Sequence, residues 1–366
     1  MERIAIKTDQ PYEMVIGKDL FGTSPAEIKA ALGRLPERAA LVTDSNVSPL
    51  YAGAVSGALS DAGVSVSLVE FPAGEENKNL ESYGAILEQL ARAGLTRSDI
   101  VIALGGGVAG DMGGFAAATF LRGIRYVQMP TTYLAAVDSS VGGKTAVDLA
   151  SGKNLCGAFW QPSLVLLSYD TFRTLSPSEF LDGSAEAFKA AMLRKADLAD
   201  DVLAAVSSVD MGAGNEKEIP DVFERVIRQS VEIKKAVVEE DERDTGARQL
   251  LNFGHTIGHS IEMLSGFAMS HGQAVARGMA AEAKAAYRTG LTGTDVSPYI
   301  EDMLGRMGFD LEISMSTDDI LRFASSDKKV RGSEITVVVP EEIGRCVLKK
   351  IPVGDLREYI DAGIRD

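Results

Sequence analysis

Hydrophobic positions in the first half of the chain fall into short runs separated by longer periodic stretches. The runs at residues 3–7, 12–16, 39–43, 64–71, 99–104, 126–129 and 164–168 predict strands. Helices are predicted up to about residue 62, over 80–93, and after the glycines near 105. Strands alternating with helices of this length predict a parallel or mixed α/β sheet. After residue 168 the pattern changes. From 177 to about 324 the apolar spacing is helical, and a late hairpin, 335–340 with 346–350, is the exception. The expected organisation is an α/β domain over 1–172 followed by a mainly α-helical domain over 173–366. A cleft between two such halves is a usual position for an active site.

Composition narrows the classes of function. A length of 366 residues fits two domains, and 45% hydrophobic with 24% charged residues is ordinary for a globular protein. The net charge of −15 argues against nucleic acid and anionic membranes as partners. No apolar run reaches bilayer length, and residues 1–7 carry no apolar signal region, so a cytoplasmic protein is expected. Cys156 and Cys346, each among apolar neighbours, read as small buried hydrophobes rather than a disulfide. Lysines and arginines concentrated in motifs of an acidic protein point to a small anionic ligand.

Gly105-Gly106-Gly107-Val108-Ala109-Gly110-Asp111 follows a predicted strand and opens a helix. Glycines there let backbone amides approach a pyrophosphate at a helix N-terminus, which would make the first half a Rossmann-like nucleotide-binding domain. The other reading is a tight glycine turn. The acidic ribose ligand expected about 20 residues later is missing, and Asp44 or Glu75 could replace it.

All three histidines fall between 255 and 271. Over residues 248–264, Leu250, Phe253, Ile257, Ile261 and Leu264 recur at helical spacing. Arg248, Asn252, His255 and His259 form a second line, which on one continuous helix lies opposite the first. Solvated faces are usually built from Glu, Lys and Gln, so this line reads as a polar site. His271 lies beyond a loop at residues 265–267 and can fold back. Neutral imidazoles are common zinc ligands, and a carboxylate from elsewhere would complete a three-ligand site with an open position. The segment is not a zinc-protease motif, because no glutamate follows His255.

Val137-Asp138-Ser139-Ser140-Val141-Gly142-Gly143-Lys144-Thr145 is small, polar and turn-forming, and Gly152-Lys153-Asn154 follows. Lys144 after two glycines suits a phosphate, but the spacing excludes a nucleoside-triphosphatase loop. Glu186 and Lys189 share a helix face at i and i+3; on spacing alone they read as a surface salt bridge.

Taken in order, these motifs resemble the 3-dehydroquinate synthase family. Leu121-Arg122-Gly123, Pro130-Thr131-Thr132, the residues 185–189, 252–259 and 271–275, and Asp327-Lys328-Lys329 extend the match over nearly the whole chain. The resemblance implies a tightly held NAD and one divalent metal, zinc or cobalt, on Glu186, His255 and His271. His259 is implied near the reacting hydroxyls rather than as a ligand. Lys144, Asn154, Asp138, Lys189, Lys234, Arg248, Asn252 and Lys328 are implied at the substrate. That substrate is 3-deoxy-D-arabino-heptulosonate 7-phosphate, a small sugar-acid phosphate. Asp44, Asn46, Glu75, Lys78, Gly105, Gly106, Gly107, Asp111, Thr131, Thr132, Asp138, Lys144, Lys153, Asn154, Thr174, Leu175 and Glu179 are implied around NAD. Arg122 is implied to reach the phosphate of the neighbouring subunit in a homodimer. An apolar helix at 115–120, expected to need cover from further protein, agrees with that.

The implied chemistry is oxidation of a secondary hydroxyl, phosphate elimination, return of the hydride, and an aldol closure to 3-dehydroquinate. Two positions depart from the family: Gln273 stands where Glu is usual, and Ala190-Ala191-Met192 replaces an aromatic-glycine continuation. The rival readings are a sister sugar-phosphate cyclase, a metal-dependent alcohol or glycerol dehydrogenase, and a catalytically dead binding protein.

Overall fold

The computed structural model describes residues 1–214, 217–266, 268–324, 330–331 and 333–365. The chain divides into two compact units, Met1–Arg173 and Thr174–Asp366.

The first unit contains, in chain order, β1 (Glu2–Ile6), β2 (Tyr12–Gly17), α1 (Ser24–Leu32), β3 (Arg38–Asp44), α2 (Gly53–Asp61), β4 (Ser65–Phe71), α3 (Leu80–Arg92), β5 (Ile100–Gly105), α4 (Gly107–Thr119), β6 (Arg125–Pro130), β7 (Lys144–Leu149), β8 (Gly152–Phe159) and β9 (Leu164–Ser168). Seven strands form one sheet in the order β1-β2-β9-β6-β5-β3-β4. Only β1 and β2 pair antiparallel; the other pairs are parallel. Parallel neighbours need crossovers, which α2, α3 and α4 supply. With helices on both faces, the central strands are apolar throughout. In β5, Ile100, Ile102 and Leu104 join one core with Leu41, Val55 and Leu59. Val101 and Ala103 join the other with Val42, Ile86 and Met112. This two-sided burial explains why the strands read as continuous runs. The chain goes from β3 out to β4, then back to β5 on the other side of β3. The carboxyl ends of β3 and β5, Asp44 and Gly105, therefore meet at a topological switch point, where such sheets bind ligands.

Two expectations are corrected in this unit. Residues 137–145 read as turn-forming and no strand is predicted between 129 and 164, but residues 144–159 make an antiparallel hairpin in which Lys144 pairs with Phe159 and Val147 with Cys156. Its Val147 is buried in the α4 core and gives the hairpin an apolar side that the surrounding glycines obscure. The second correction concerns α4. Its apolar residues are covered by β5, β6 and β7 of the same unit, so its composition calls for no second subunit.

The second unit contains α5 (Pro177–Arg194), α6 (Leu198–Ser207), α7 (Val222–Glu240), α8 (His255–Leu264), α9 (His271–Arg288), α10 (Ser297–Met307), α11 (Thr317–Ala324), β10 (Val330–Arg331), β11 (Glu334–Glu342), β12 (Arg345–Pro352) and α12 (Leu356–Ile364). β10, β11 and β12 form a small antiparallel sheet. Ile257 and Ile261 of α8, Ala274, Ala281 and Ala285 of α9, Ile335 and Val337 of β11, and Tyr359 and Ile360 of α12 share one core. Where α8 crosses α9 no side chain intervenes. A Cβ on Gly278 would lie 1.9 Å from the Gly254 carbonyl oxygen, and one on Gly258 would lie 2.9 Å from that of Ala274. No helix among the described residues is long and apolar enough to cross a membrane.

Residues 248–264 are not one helix. Ala247–Asn252 form a 3-10 turn, Gly254 takes φ +78°, and α8 starts at His255. Leu250 and Phe253 carry the apolar spacing across the break, so periodicity alone hides it. Arg248 and Asn252 sit on the turn, and His255 and His259 on the helix.

Candidate functional site

In the first unit the site is the glycine loop at the end of β5. Gly105 takes φ +150°, and a Cβ there would press 2.7 Å from Ala109 Cβ and 3.3 Å from Asp44 Oδ2. Asp44 is itself pinned, its Oδ1 accepting from the Asn46 and Val47 amides at 2.9 and 3.0 Å. A Cβ on Gly106 would come 3.0 Å from Thr132 Cγ2, and one on Gly107 3.3 Å from Ser139 Oγ. The Thr131 amide donates to the Gly105 carbonyl at 3.0 Å. The loop thus presents bare backbone at the N-terminus of α4, where unpaired amides give positive potential.

Beside it runs a chain of charges. Lys78, almost fully buried, contacts Asp111 Oδ2 at 2.6 Å, donates to Asn154 Oδ1 at 2.6 Å, and lies 3.9 Å from Glu75 Oε1. Lys153 Nζ reaches the same Glu75 oxygen at 3.1 Å. Burial opposes a charge on Lys78, but Asp111 and Glu75 outweigh it and hold the ammonium above its ordinary pKa. Asn154 adopts φ +52° and donates its amide to Asp148 Oδ1 at 2.7 Å. Glu75, Lys78, Asp111, Lys153 and Asn154, five residues singled out from sequence, are therefore connected. Asp148 completes the set; nothing in its spacing marks it.

Asp138 lies in the turn Ala135–Ser139, and Lys144 opens β7 with its side chain exposed. Arg122 is exposed beyond the far end of α4, whose 13 residues separate it from the glycine loop by roughly 20 Å. Leu121 and Arg122 both have positive φ, +52° and +67°, a strained geometry for such side chains.

In the second unit, Glu186 and Lys189 of α5 are each 2% exposed and form a close ion pair. The sequence reading of a surface salt bridge is corrected: residues 185–193 are otherwise apolar, which was the available clue. Glu186 Oε1 lies 3.4 Å from His255 Nε2 and 3.3 Å from His271 Nε2. The His255 Nδ1 faces the Phe253 carbonyl at 3.0 Å and can donate to it, which directs Nε2 at Glu186. His271 Nδ1 meets Glu262 Oε2 at 3.3 Å. Each Nε2 is thus aimed by a partner on the opposite ring nitrogen, the usual support of metal-binding histidines.

Burial alone would raise the Glu186 pKa, but Lys189 and His271 bring it down to about 2. Burial likewise opposes charge on His271, yet its hydrogen bonds to Glu186 and Glu262 raise it to about 10. Such converging acceptors bind a cation, whether a proton or a metal ion. Glu186, His255 and His271 offer ligand atoms within 4.8 Å of one another, as do His259, Glu262 and His271. The three residues fit a divalent metal by donor type and number. Glu262 escaped the sequence reading, although it stands three residues after His259 on one helix face.

Lys234 is buried in α7. Arg248 is 1% exposed, with Nη1 donating to the Glu242 carbonyl at 2.7 Å. Asn252 ends the 3-10 turn. Thr174 precedes Leu175, whose carbonyl accepts from Lys217 Nζ at 2.9 Å. Glu179 closes a capping box with Ser176 at the start of α5. Lys328 lies outside the described residues.

Comparison with known proteins agrees in both halves. The model of the 3-dehydroquinate synthase N-terminal region matches residues 68–182, and that of the C-terminal region matches 183–330. A 3-dehydroquinate synthase of Streptococcus suis (strain 05ZYH33) is 37% identical over 352 residues, covering 96% of this chain and 97% of that one. One from Symbiobacterium thermophilum is 42% identical over 346 residues, covering 93% and 94%. Among solved structures, the 2-epi-5-epi-valiolone synthase of Streptomyces hygroscopicus subsp. jinggangensis 5008, with NAD+ and Zn2+ bound, superposes with a TM-score of 0.86. It is 25% identical, covering 99% of this chain and 98% of that one. With both family regions matched in order and relatives aligned from end to end, the chain belongs to the 3-dehydroquinate synthase family.

Proposed function

We propose that the chain is a carbon–oxygen lyase that turns 3-deoxy-D-arabino-heptulosonate 7-phosphate into 3-dehydroquinate and phosphate, with NAD and one divalent metal, zinc or cobalt. The observation that carries the reading is one buried carboxylate oxygen of Glu186 facing the Nε2 atoms of His255 and His271. Curated relatives of that name at 37% and 42% identity favour this branch over a sister cyclase. The valiolone synthase structure, holding NAD+ and Zn2+, supports the cofactor choice.

Glu186, His255 and His271 would hold the metal, and the glycine loop with Asp44 and the Lys78 network would hold NAD. When bound, these groups acidify a substrate hydroxyl and take up and return a hydride. His259, whose ring centroid lies 4.9 Å from that of His255, is positioned to carry protons between substrate hydroxyls and solvent. Lys144, Lys189, Lys234, Arg248, Asn154, Asn252, Asp138 and Lys328 would fix the carboxylate, phosphate and hydroxyls. Fixing both anionic ends of a flexible substrate supplies the orientation that successive elimination and ring closure need.

The test is phosphate release from the heptulosonate phosphate, followed with NADH absorbance and repeated after chelation. Release without net NADH, lost on chelation and restored by zinc or cobalt, is expected. Accumulating NADH without phosphate would instead indicate a dehydrogenase. Turnover confined to sugar phosphates lacking the carboxylate would indicate a sister cyclase.

The proposal includes a cytoplasmic homodimer in which Arg122 reaches the neighbour's substrate phosphate. It is supported by the exposure and strained backbone of Arg122, away from its own glycine loop. Mixing inactive Arg122→Ala and Lys144→Ala variants under subunit exchange should restore up to half the activity per mixed dimer. Demonstrated exchange with no recovery would remove Arg122 from the neighbour's site.

A further inference from the structure

His255 and His271 occupy equivalent places: each is the first residue of its helix, α8 or α9. Neither helix is capped by its own N-cap side chain. The cap of α8 is Gly254, which has no side chain to offer. The cap of α9 is Ser270, whose hydroxyl is turned to Asp182 Oδ1 at 2.6 Å. In both cases a carboxylate from a neighbouring helix takes over. Glu282 of α9, fully buried, accepts from the Gly254 amide through Oε2 at 2.9 Å and from the Ile257 amide through Oε1 at 3.0 Å. These two amides bracket His255. Asp182 of α5 accepts from the Gly272 amide at 2.8 Å as well as from Ser270, and these two bracket His271. The approach is close: a Cβ on Gly272 would lie 2.3 Å from Asp182 Cα.

The linkage is serial. α5, which carries Glu186, holds α9 through Asp182; α9 holds α8 through Glu282. All three ligand candidates are therefore registered by two carboxylates that are not themselves among the candidate ligands. Charge gives these residues a second task. A cation held by residues at the starts of two helices meets the positive ends of both dipoles, roughly half an elementary charge each. Carboxylate oxygens at each end offset that repulsion through their negative charge or dipole, which an apolar cap would not do.

We propose that Glu282 and Asp182 are positioning residues of the metal centre, setting the place of His255 and His271 and lowering the electrostatic cost of a cation there. This rests on the reading of Glu186, His255 and His271 as metal ligands.

The test measures Co2+ affinity by chelator competition and the visible cobalt spectrum, together with thermal unfolding of the metal-free protein. It uses the full-length wild type and the Glu282→Gln, Asp182→Asn and Phe223→Leu variants. Phe223 is a buried core residue of α7, and its variant serves as a control for loss of stability alone. The two isosteric variants are expected to bind Co2+ about 10- to 100-fold more weakly, with altered band positions or intensities. Phe223→Leu should melt earlier and keep the wild-type affinity and spectrum. Unchanged affinity and spectrum in both isosteric variants would overturn the proposal, even if they melt earlier. If Glu282→Gln does not fold, Asp182→Asn alone decides by the same criterion. A wild type that binds no Co2+ would instead overturn the ligand reading itself.

Discussion

The glycine loop of the first unit and the histidine cluster of the second solve opposite problems with opposite materials. The loop presents backbone: three successive glycines, the N-terminal amides of α4, and side chains held just clear of the glycines. Its charged residues already satisfy one another, Lys78 with Asp111 and Lys153 with Glu75. The histidine cluster presents side chains from three helices, Glu186 and His255 buried and His271 partly so, converging on one carboxylate oxygen. A backbone site suffers when anything is added to it, whereas a side-chain site suffers when anything is taken away.

That contrast can be broken by experiment, and the largest effect belongs to the cluster. Glu186→Gln, His255→Ala and His271→Ala should each lose metal on desalting and lose phosphate release by ~10³-fold. His259→Ala should keep its metal while losing turnover, and full metal occupancy in His271→Ala would refute the ligand assignment. A smaller effect is expected from addition at the loop. Gly106→Val places a branched side chain against Thr132, and a misfit of about 1–3 kcal/mol would weaken NAD binding some 5- to 150-fold. Its metal content should match wild type, and NAD titration by fluorescence quenching measures the loss; unchanged NAD binding would remove the loop from the cofactor site. The smallest effect should come from subtraction at the loop. Lys153→Ala removes a partly exposed pair worth at most about 1 kcal/mol, so NAD affinity should change less than ~5-fold. A larger drop would mean that the loop depends on its charges as the cluster does.

The two regions also differed in how far the sequence disclosed them. The glycine loop is contiguous, and its strand–turn–helix context could be read directly from residues 100–111. The cluster was visible because all three histidines fall within 17 residues. The carboxylates around it were not, because contact is made across 25 to 90 residues of chain. Glu282 meets Ile257 and Asp182 meets Gly272 only after α5, α8 and α9 have packed. The break before α8 was missed for a related reason. Apolar spacing reports which side of a segment is buried, and Phe253 stays on that side while the backbone turns at Gly254. The β7–β8 hairpin was lost behind Gly142, Gly143 and Gly152, and the burial of Glu186 and Lys189 behind an i, i+3 spacing that more often marks a surface pair.

The crossing of α8 over α9 has a mechanical consequence. Side-chain packing yields to load, since rotamers shift and methyl groups slide. At Gly258 and Gly278 the helices touch through their backbones, and there is no rotamer to shift. The joint behaves as a hinge pin driven home, stiff against compression and without play. Any strain applied to the far ends of α8 or α9, by temperature, pressure or a mutation in their outer turns, should be taken up by bending of those ends. The first turns, which carry His255 and His271, would move as one piece.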